Sequence, residues 1–205
     1  MKTEIVRADE ARAVEQALVV LRNGGIVAFP TDTVYGVGAL AFDERAVRKL
    51  YRAKGRLPEK AIPVLIADGQ DLARVAGEVP EMARKLAGRF WPGPLTLVVP
   101  RHPDLPRAVS ATDTVGVRVP DHPLALHLLG AAGPMAVTSA NRAGAPNACT
   151  AAQVLADLEG RIDLLLDGGE TPGGRPSTVV NCTGGALRVL REGPLSLEDL
   201  TAALS

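Results

Sequence analysis

The chain has 205 residues, with 23 Lys plus Arg against 23 Asp plus Glu, a formal net charge of zero and 46% hydrophobic residues. That is the composition of one soluble globular domain able to bury a core. Balanced charge excludes a protein built as a basic coat for nucleic acid and an acidic disordered tail, since both need a sustained excess of one sign. No apolar run approaches the roughly 18 residues that a membrane span needs. The opening Met1-Lys2-Thr3-Glu4 turns acidic before any hydrophobic stretch, which predicts no signal peptide and a cytoplasmic location. Cys149 and Cys182 are too few for a disulfide framework or a Cys-rich zinc site and are expected as small buried or half-buried apolar residues. The 21 glycines and 16 prolines beside 3% aromatic residues indicate many ordered loops on a Val/Leu/Ala core.

Along the chain, Asp9 is a candidate N-cap for a first helix, in which Val14, Ala17, Leu18 and Leu21 recur at helical spacing until Gly24-Gly25 stops it. A short strand over 26–29 then runs into Pro30. Ala46, Val47, Leu50 and Tyr51 predict a second helix after Asp43, 62–67 a buried strand, and 80–86 a third helix with Pro80 at its first position. Further strands are expected over 95–99, 115–119, 135–138, 162–166, 178–181 and 187–190, with helices over 122–129, after Thr150 and over 195–204. Strands and helices alternate throughout, which predicts an α/β domain, on the border with α+β, with a mixed sheet and no repeat. The whole of 1–205 reads as a single domain.

Several chemistries are missing. No lysine follows a glycine, so there is no Gly-Lys-Ser/Thr phosphate loop, and Gly36-Val37-Gly38 lacks the third glycine of a dinucleotide fingerprint. There is no His-Glu-x-x-His, no Gly-x-Ser-x-Gly and no cysteine pair spaced for zinc, so no resident metal is expected. His102, His122 and His127 do not cluster and are expected in surface or capping roles.

The strongest anomaly is local charge. From Arg45 to Lys60, Arg45, Arg48, Lys49, Arg52, Lys54, Arg56 and Lys60 stand against Glu59 alone. The first four share a helix face, where a solvated basic surface explains them. Lys54, Arg56 and Lys60 are expected past the helix, in a loop broken by Gly55 and Pro58. Alternate residues of an extended Lys-x-Arg can aim two cations at one polyanion, and a triphosphate or an RNA backbone would both suit. Three hydroxyl-rich groups sit at expected strand ends: Thr31-Asp32-Thr33-Val34-Tyr35, Thr138-Ser139-Ala140-Asn141 and Ser177-Thr178. Singly, such residues are turn formers and caps. Together with the Lys-x-Arg loop they supply donors and acceptors for a zwitterion and a nucleotide.

Two arginines stand apart. In Val115-Gly116-Val117-Arg118-Val119 the valines share one strand face and Arg118 shares the other with Gly116, which leaves room above the sheet for a guanidinium to clamp a carboxylate. Arg191 follows Leu187 and Val189 at period two, beside the Glu192-Gly193-Pro194 turn. An ion-paired or snorkelling arginine remains the competing explanation for each.

Pro30-Thr31-Asp32-Thr33-Val34-Tyr35-Gly36-Val37-Gly38, Lys54-Gly55-Arg56, Trp91-Pro92-Gly93-Pro94-Leu95-Thr96, Val117-Arg118-Val119-Pro120, Ser139-Ala140-Asn141 and Pro176-Ser177-Thr178-Val179-Val180 together closely resemble the YrdC-like family, the threonylcarbamoyl-AMP synthases. The resemblance covers essentially the whole chain. It implies a twisted mixed α/β fold with a large, positively lined cavity. The implied activity is that of a nucleotidyltransferase making threonylcarbamoyl-AMP and pyrophosphate from L-threonine, bicarbonate or CO2, and ATP with Mg2+. The product would pass to a separate transferase complex that modifies adenosine 37 of ANN-decoding tRNAs. Carried over by position, Lys54, Arg56, Ser139 and Asn141 would be catalytic and hold ATP together with Lys60, Thr114 and Arg191. Thr33, Tyr35, Arg118, Thr138 and Ser177 would hold threonine, with Arg118 on its carboxylate and Thr178 the alternative to Ser177. One final helix ends the chain, as in the family's short form, and Asn181 stands where the family often has Asp. The intact Ser139-Ala140-Asn141 favours the synthase over paralogues of other activity.

The competing expectation is an RNA-binding module using the 45–60 surface on duplex RNA or tRNA. The six aromatic residues, Phe29, Tyr35, Phe42, Tyr51, Phe90 and Trp91, are few for single-strand stacking. The stretch 168–176, with four glycines and two prolines, is a candidate lid or a rigid surface loop.

Overall fold

Local chemistry sets the elements. In the computed structural model, which describes residues 2–205, they follow in the order β1 (Glu4–Arg7), α1 (Ala13–Arg22), β2 (Val27–Phe29), β3 (Gly36–Leu40), α2 (Glu44–Lys54), β4 (Val64–Leu65), α3 (Leu72–Val75), α4 (Glu81–Phe90), β5 (Leu95–Pro100), β6 (Thr114–Arg118), α5 (Pro123–Ala132), β7 (Met135–Ser139), α6 (Ala151–Leu158), β8 (Leu164–Asp167), β9 (Thr178–Asn181), β10 (Arg188–Arg191) and α7 (Leu197–Ala202). Asp43 caps α2 through a bond from Ala46 N, and Gly55 closes it at φ 61°, in the left-handed region that glycine enters at no steric cost. Thr150 with Gln153, and Ser196 with Asp199, form capping boxes at α6 and α7. The expected Asp9 cap is not formed: α1 begins after Arg12 with no side-chain cap, and Asp9 pairs with Arg7 instead. Pro80 sits at the N-cap of α4 rather than at its first helical position.

The strands make one mixed sheet in the order β1-β8-β2-β3-β7-β4-β6-β5-β9-β10. Both β1 and β3 escape a reading by period. β1 is an edge strand with one buried residue, paired in parallel with β8. β3 carries Gly36 and Gly38 where a strand would show side chains, because Val137 of the neighbouring β7 fills that space. The expected strand over 62–67 shrinks to two paired residues.

Side-chain alternation separates the two faces. Ile26, Ala28, Leu165, Val117 and Leu97 point to a core shared with α2, α3, α4, α6 and α7, whereas Val27, Phe29, Leu164 and Val137 point to a second core under α1 and α5. These two helices cover the second face only at the β1-to-β7 end. Over β4, β6, β5 and β9 that face carries Leu65, Gly116, Arg118, Thr96, Val98 and Val179, and these line a cavity. No helix among the described residues is long and apolar enough to cross a membrane.

Candidate functional site

The cavity measures about 320 Å³ and opens on the uncovered sheet face. Arg118 lies at its base, 6% exposed. Its Nε donates to Gly93 O at 2.9 Å, Nη1 to Thr33 Oγ1 at 3.0 Å and Nη2 to Asp32 Oδ1 at 2.6 Å. A guanidinium has five N–H groups in a rigid fork, so two remain for a ligand, the number that a carboxylate accepts. The loop after β2 delivers Asp32 and Thr33 to Arg118 although β3, β7 and β4 separate β2 from β6 in the sheet. Burial pulls the Arg118 pKa down, and Asp32 opposes that through its charge and hydrogen bond.

Arg56 lines the wall with Thr138 and Ser139. Its Nε and Nη2 donate to the carbonyls of Lys60 and Ala61, at 3.1 and 2.8 Å, and Tyr51 Oη steadies the same Lys60 carbonyl at 3.2 Å. Arg191, exposed at the rim, clasps Ser177: Nε and Nη2 reach Ser177 O at 3.0 and 2.9 Å, and Nη2 reaches Ser177 Oγ at 3.1 Å. Ser177 Oγ in turn shares a hydrogen with Thr96 Oγ1 at 2.7 Å. Desolvation lowers the Arg191 pKa first and the charges of Arg118 and Arg56 lower it further, as expected of three cations around one hollow.

Lys54 departs from expectation. It is the last residue of α2 rather than part of the loop beyond it, and it is 2% exposed. Its Nζ donates to the carbonyls of Ser139 and Asn141, pinning the exit of β7 to α2. Burial, and secondarily Arg56, lower its pKa from 10.5 to about 8, against Asp157. A substitution here therefore perturbs the interior as well as the site.

The cavity thus brings together Thr33, Tyr35, Arg56, Arg118, Thr138, Ser139, Ser177 and Arg191 from the sequence-derived set. Lys54, Lys60, Thr114 and Asn141 lie outside its lining. The Lys60 side chain is exposed, and its carbonyl is what touches Arg56. Thr114 shares hydrogen bonds with Thr112 at the far end of β6. Asn141 Nδ2 donates to Arg142 O and Ala145 O, at 3.0 and 2.6 Å. Tyr35 presents its ring, but its hydroxyl is spent on Gly169 O at 2.7 Å and Gly168 N at 3.1 Å. Thr178 points the other way, to Leu195 O and N at 3.1 and 3.0 Å, while Ser177 faces the cavity. Thr31, Thr96 and Asn147 also line it, and Asp32 holds Arg118 from behind; the sequence offered Thr31, Asp32 and Thr96 only within longer motifs, with no role of their own, and Asn147 not at all. Thr96 shares its strand face with Val98, a period-two signal that was available; Asp32 and Arg118 lie 86 positions apart and carried none.

The stretch 168–176 is fastened to the wall. Gly168 and Gly169 hold the Tyr35 hydroxyl, Thr171 N reaches Cys149 O at 2.9 Å and Gly174 N reaches Thr33 O at 2.8 Å. A methyl on Gly173 would come within 2.6 Å of Asp32 O. The basic run is partly neutralised on the surface, with Arg48 on Glu44 and Lys49 on Asp163, each at 2.5 Å. Asn181 Oδ1 accepts from Thr183 N and Oγ1 in the turn after β9. Cys149 is half-buried and Cys182 buried, neither bonded to the other. His102 Nδ1 accepts from Asp104 N, His122 stands at the N-cap of α5 and His127 is exposed.

Comparison with known proteins places this geometry. A family model described as "Telomere recombination", covering the Sua5, YciO and YrdC proteins, matches residues 19–193. Curated relatives include the threonylcarbamoyl-AMP synthase of Bacillus subtilis, 45% identical over 93% of this chain and 56% of its own, and that of Pyrococcus abyssi, 46% identical over 88% and 54%. The chain therefore spans about half the length of these relatives. The crystal structure of P. abyssi Sua5 complexed with L-threonine superposes with a TM-score of 0.94 at 41% identity, over 100% of this chain and 61% of that one. On these grounds the chain belongs to the Sua5/YciO/YrdC family.

Proposed function

We propose that the chain is a threonylcarbamoyl-AMP synthase, a nucleotidyltransferase that joins L-threonine, CO2 or bicarbonate, and ATP, and releases pyrophosphate. The observation that carries the reading is Arg118: a buried guanidinium, fixed on three sides, with two N–H groups left over in a hollow that also holds Arg56 and Arg191. Such a hollow suits two anionic reactants side by side. The threonine carboxylate would take the free edge of Arg118, with Thr33, Thr138 and Ser177 offering hydroxyls to the rest of the amino acid. The triphosphate would lie along Arg56 and Arg191, with Lys54, Ser139 and Asn141 shaping that end and Lys60 and Thr114 farther out.

The threonine amine adds to CO2 and loses a proton to give a carbamate. A carbamate oxygen then bonds the α-phosphorus as the bond to the bridging oxygen breaks and pyrophosphate leaves with that electron pair. No protein nucleophile is required; positioning, and cations that neutralise the departing pyrophosphate, carry the step. Mg2+ would arrive on the triphosphate. No three metal-binding side chains come together among the described residues, and Asp32, the carboxylate beside Arg118, is engaged by that arginine. The product would be consumed by a separate enzyme acting on tRNA.

The test is pyrophosphate release from ATP, expected only when threonine and bicarbonate are both present. Release independent of either one sinks the reading.

A further inference from the structure

The three arginines of the cavity differ in their counter-charge. Arg118 has a carboxylate against it, Asp32, with the two side chains only 7% and 12% exposed. Among the described residues, Arg56 and Arg191 are held by neutral oxygens alone, the carbonyls of Lys60 and Ala61 in one case and the carbonyl and hydroxyl of Ser177 in the other. Lys54 likewise rests on carbonyls. Among the described residues the cavity therefore presents one arginine in a neutral ion pair with two spare N–H groups, Arg118, beside two with no carboxylate partner, Arg56 and Arg191.

If the proposed function holds, the cavity must seat a monocarboxylate and a polyphosphate at once. Attraction to bare cations grows with ligand charge, so three bare arginines would all favour the polyphosphate. We propose that Asp32 is a specificity-determining residue that sorts these two anions: it leaves Arg118 able to hydrogen-bond a single carboxylate while cancelling the net charge that would draw polyphosphate to that arginine. Cancelling that charge costs a ligand in proportion to its own charge, so pyrophosphate loses several times what a carboxylate does, whereas the carboxylate keeps two directed hydrogen bonds. The geometry fits such a fixed charge. Asp32 Oδ1 also accepts from Asp121 N at 3.1 Å, so the carboxylate is fixed by two donors of the 118–121 stretch.

The experiment titrates L-threonine calorimetrically into the full chain, with and without saturating inorganic pyrophosphate. In the wild type, pyrophosphate is expected to leave the threonine Kd within about twofold. In D32N, which keeps the hydrogen-bond acceptor and loses the charge, pyrophosphate is expected to weaken threonine by at least about tenfold, because it now occupies Arg118. D32E, which restores the charge, is expected to behave as wild type, an outcome that a merely structural role for Asp32 does not produce. The proposal is overturned if pyrophosphate displaces threonine from the wild type, or leaves folded D32N as indifferent as the wild type. Should D32N not fold, D32S takes its place as the variant without the charge, and a threonine Kd in D32S that pyrophosphate leaves within about twofold overturns the proposal. Threonine binding that ignores pyrophosphate in every variant removes the sorting role and leaves the proposed function standing; a wild type that binds no threonine removes the proposed function itself.

Discussion

The floor of the cavity can be tested by adding one carbon. A methyl on Gly36 would lie 2.7 Å from Val137 Cγ1, and one on Gly38 would lie 2.8 Å from Val137 Cγ2, so the two methyls of Val137 sit astride two bare positions of β3. Neither glycine has positive φ, so alanine suits the backbone and the conflict is steric. Forcing Val137 aside costs about 1–3 kcal/mol as overpacking, less the roughly 0.5–1 kcal/mol that alanine recovers over glycine in a strand. G36A is therefore expected to destabilise by about 0.5–2 kcal/mol. V137A removes the obstructing methyls and, at about 0.8 kcal/mol per buried carbon plus a cavity contribution, costs about 2–3 kcal/mol alone. Combined, the alanine methyl at position 36 enters the space that Val137 vacated, so the double variant is expected to be more stable than the sum of the singles by at least about 1 kcal/mol. Urea unfolding with an unchanged m-value measures this. Both residues line the cavity, so the singles should also alter threonine KM and the double variant restore it in part. Costs that add to within about 0.5 kcal/mol would refute the interlocked floor.

Ser177 and Thr178 should differ in their effect on threonine. S177A, which loses its bonds to Thr96 and Arg191, and T178V, which loses both bonds to Leu195, are each expected to cost about 1–3 kcal/mol, but only S177A is expected to raise the KM for threonine; a raised KM in T178V alone refutes the assignment. R118K keeps the charge but cannot reach Gly93, Thr33 and Asp32 while offering a paired edge, so it is expected to raise threonine KM at least about tenfold while ATP KM moves little; equal effects on both would count against the carboxylate role. For Lys54, whose pKa is lowered to about 8, kcat/KM for ATP is expected to fall as pH rises through that value, since the free enzyme loses a cation. The unfolded lysine keeps its proton up to 10.5, so between the two values the unfolded state binds more protons and this group makes the fold more stable as pH rises. Activity and stability should thus move in opposite directions, and in K54R the limb near pH 8 should vanish; a limb unchanged in K54R would assign it elsewhere.

The sequence made legible what is local and periodic. α2 follows from Asp43, four apolar residues at helical spacing and Gly55, and Arg118 was found because Gly116 shares its strand face. What stayed hidden depends on contacts between distant segments. β3 is unreadable alone, since its missing side chains are supplied by Val137 a hundred positions later. Lys54 looks like a surface cation until the carbonyls of Ser139 and Asn141 claim it, and Lys49 counts toward a basic patch until Asp163 neutralises it. The same holds for the chemistry of the site. The local run of cations points to a cationic hollow, but the proposed selectivity rests on how that charge is divided, and the division is set by one pairing across 86 positions, Asp32 with Arg118. Residue types at strand ends point to anionic ligands; under the proposed reading, which arginine is compensated decides which anion each one would hold.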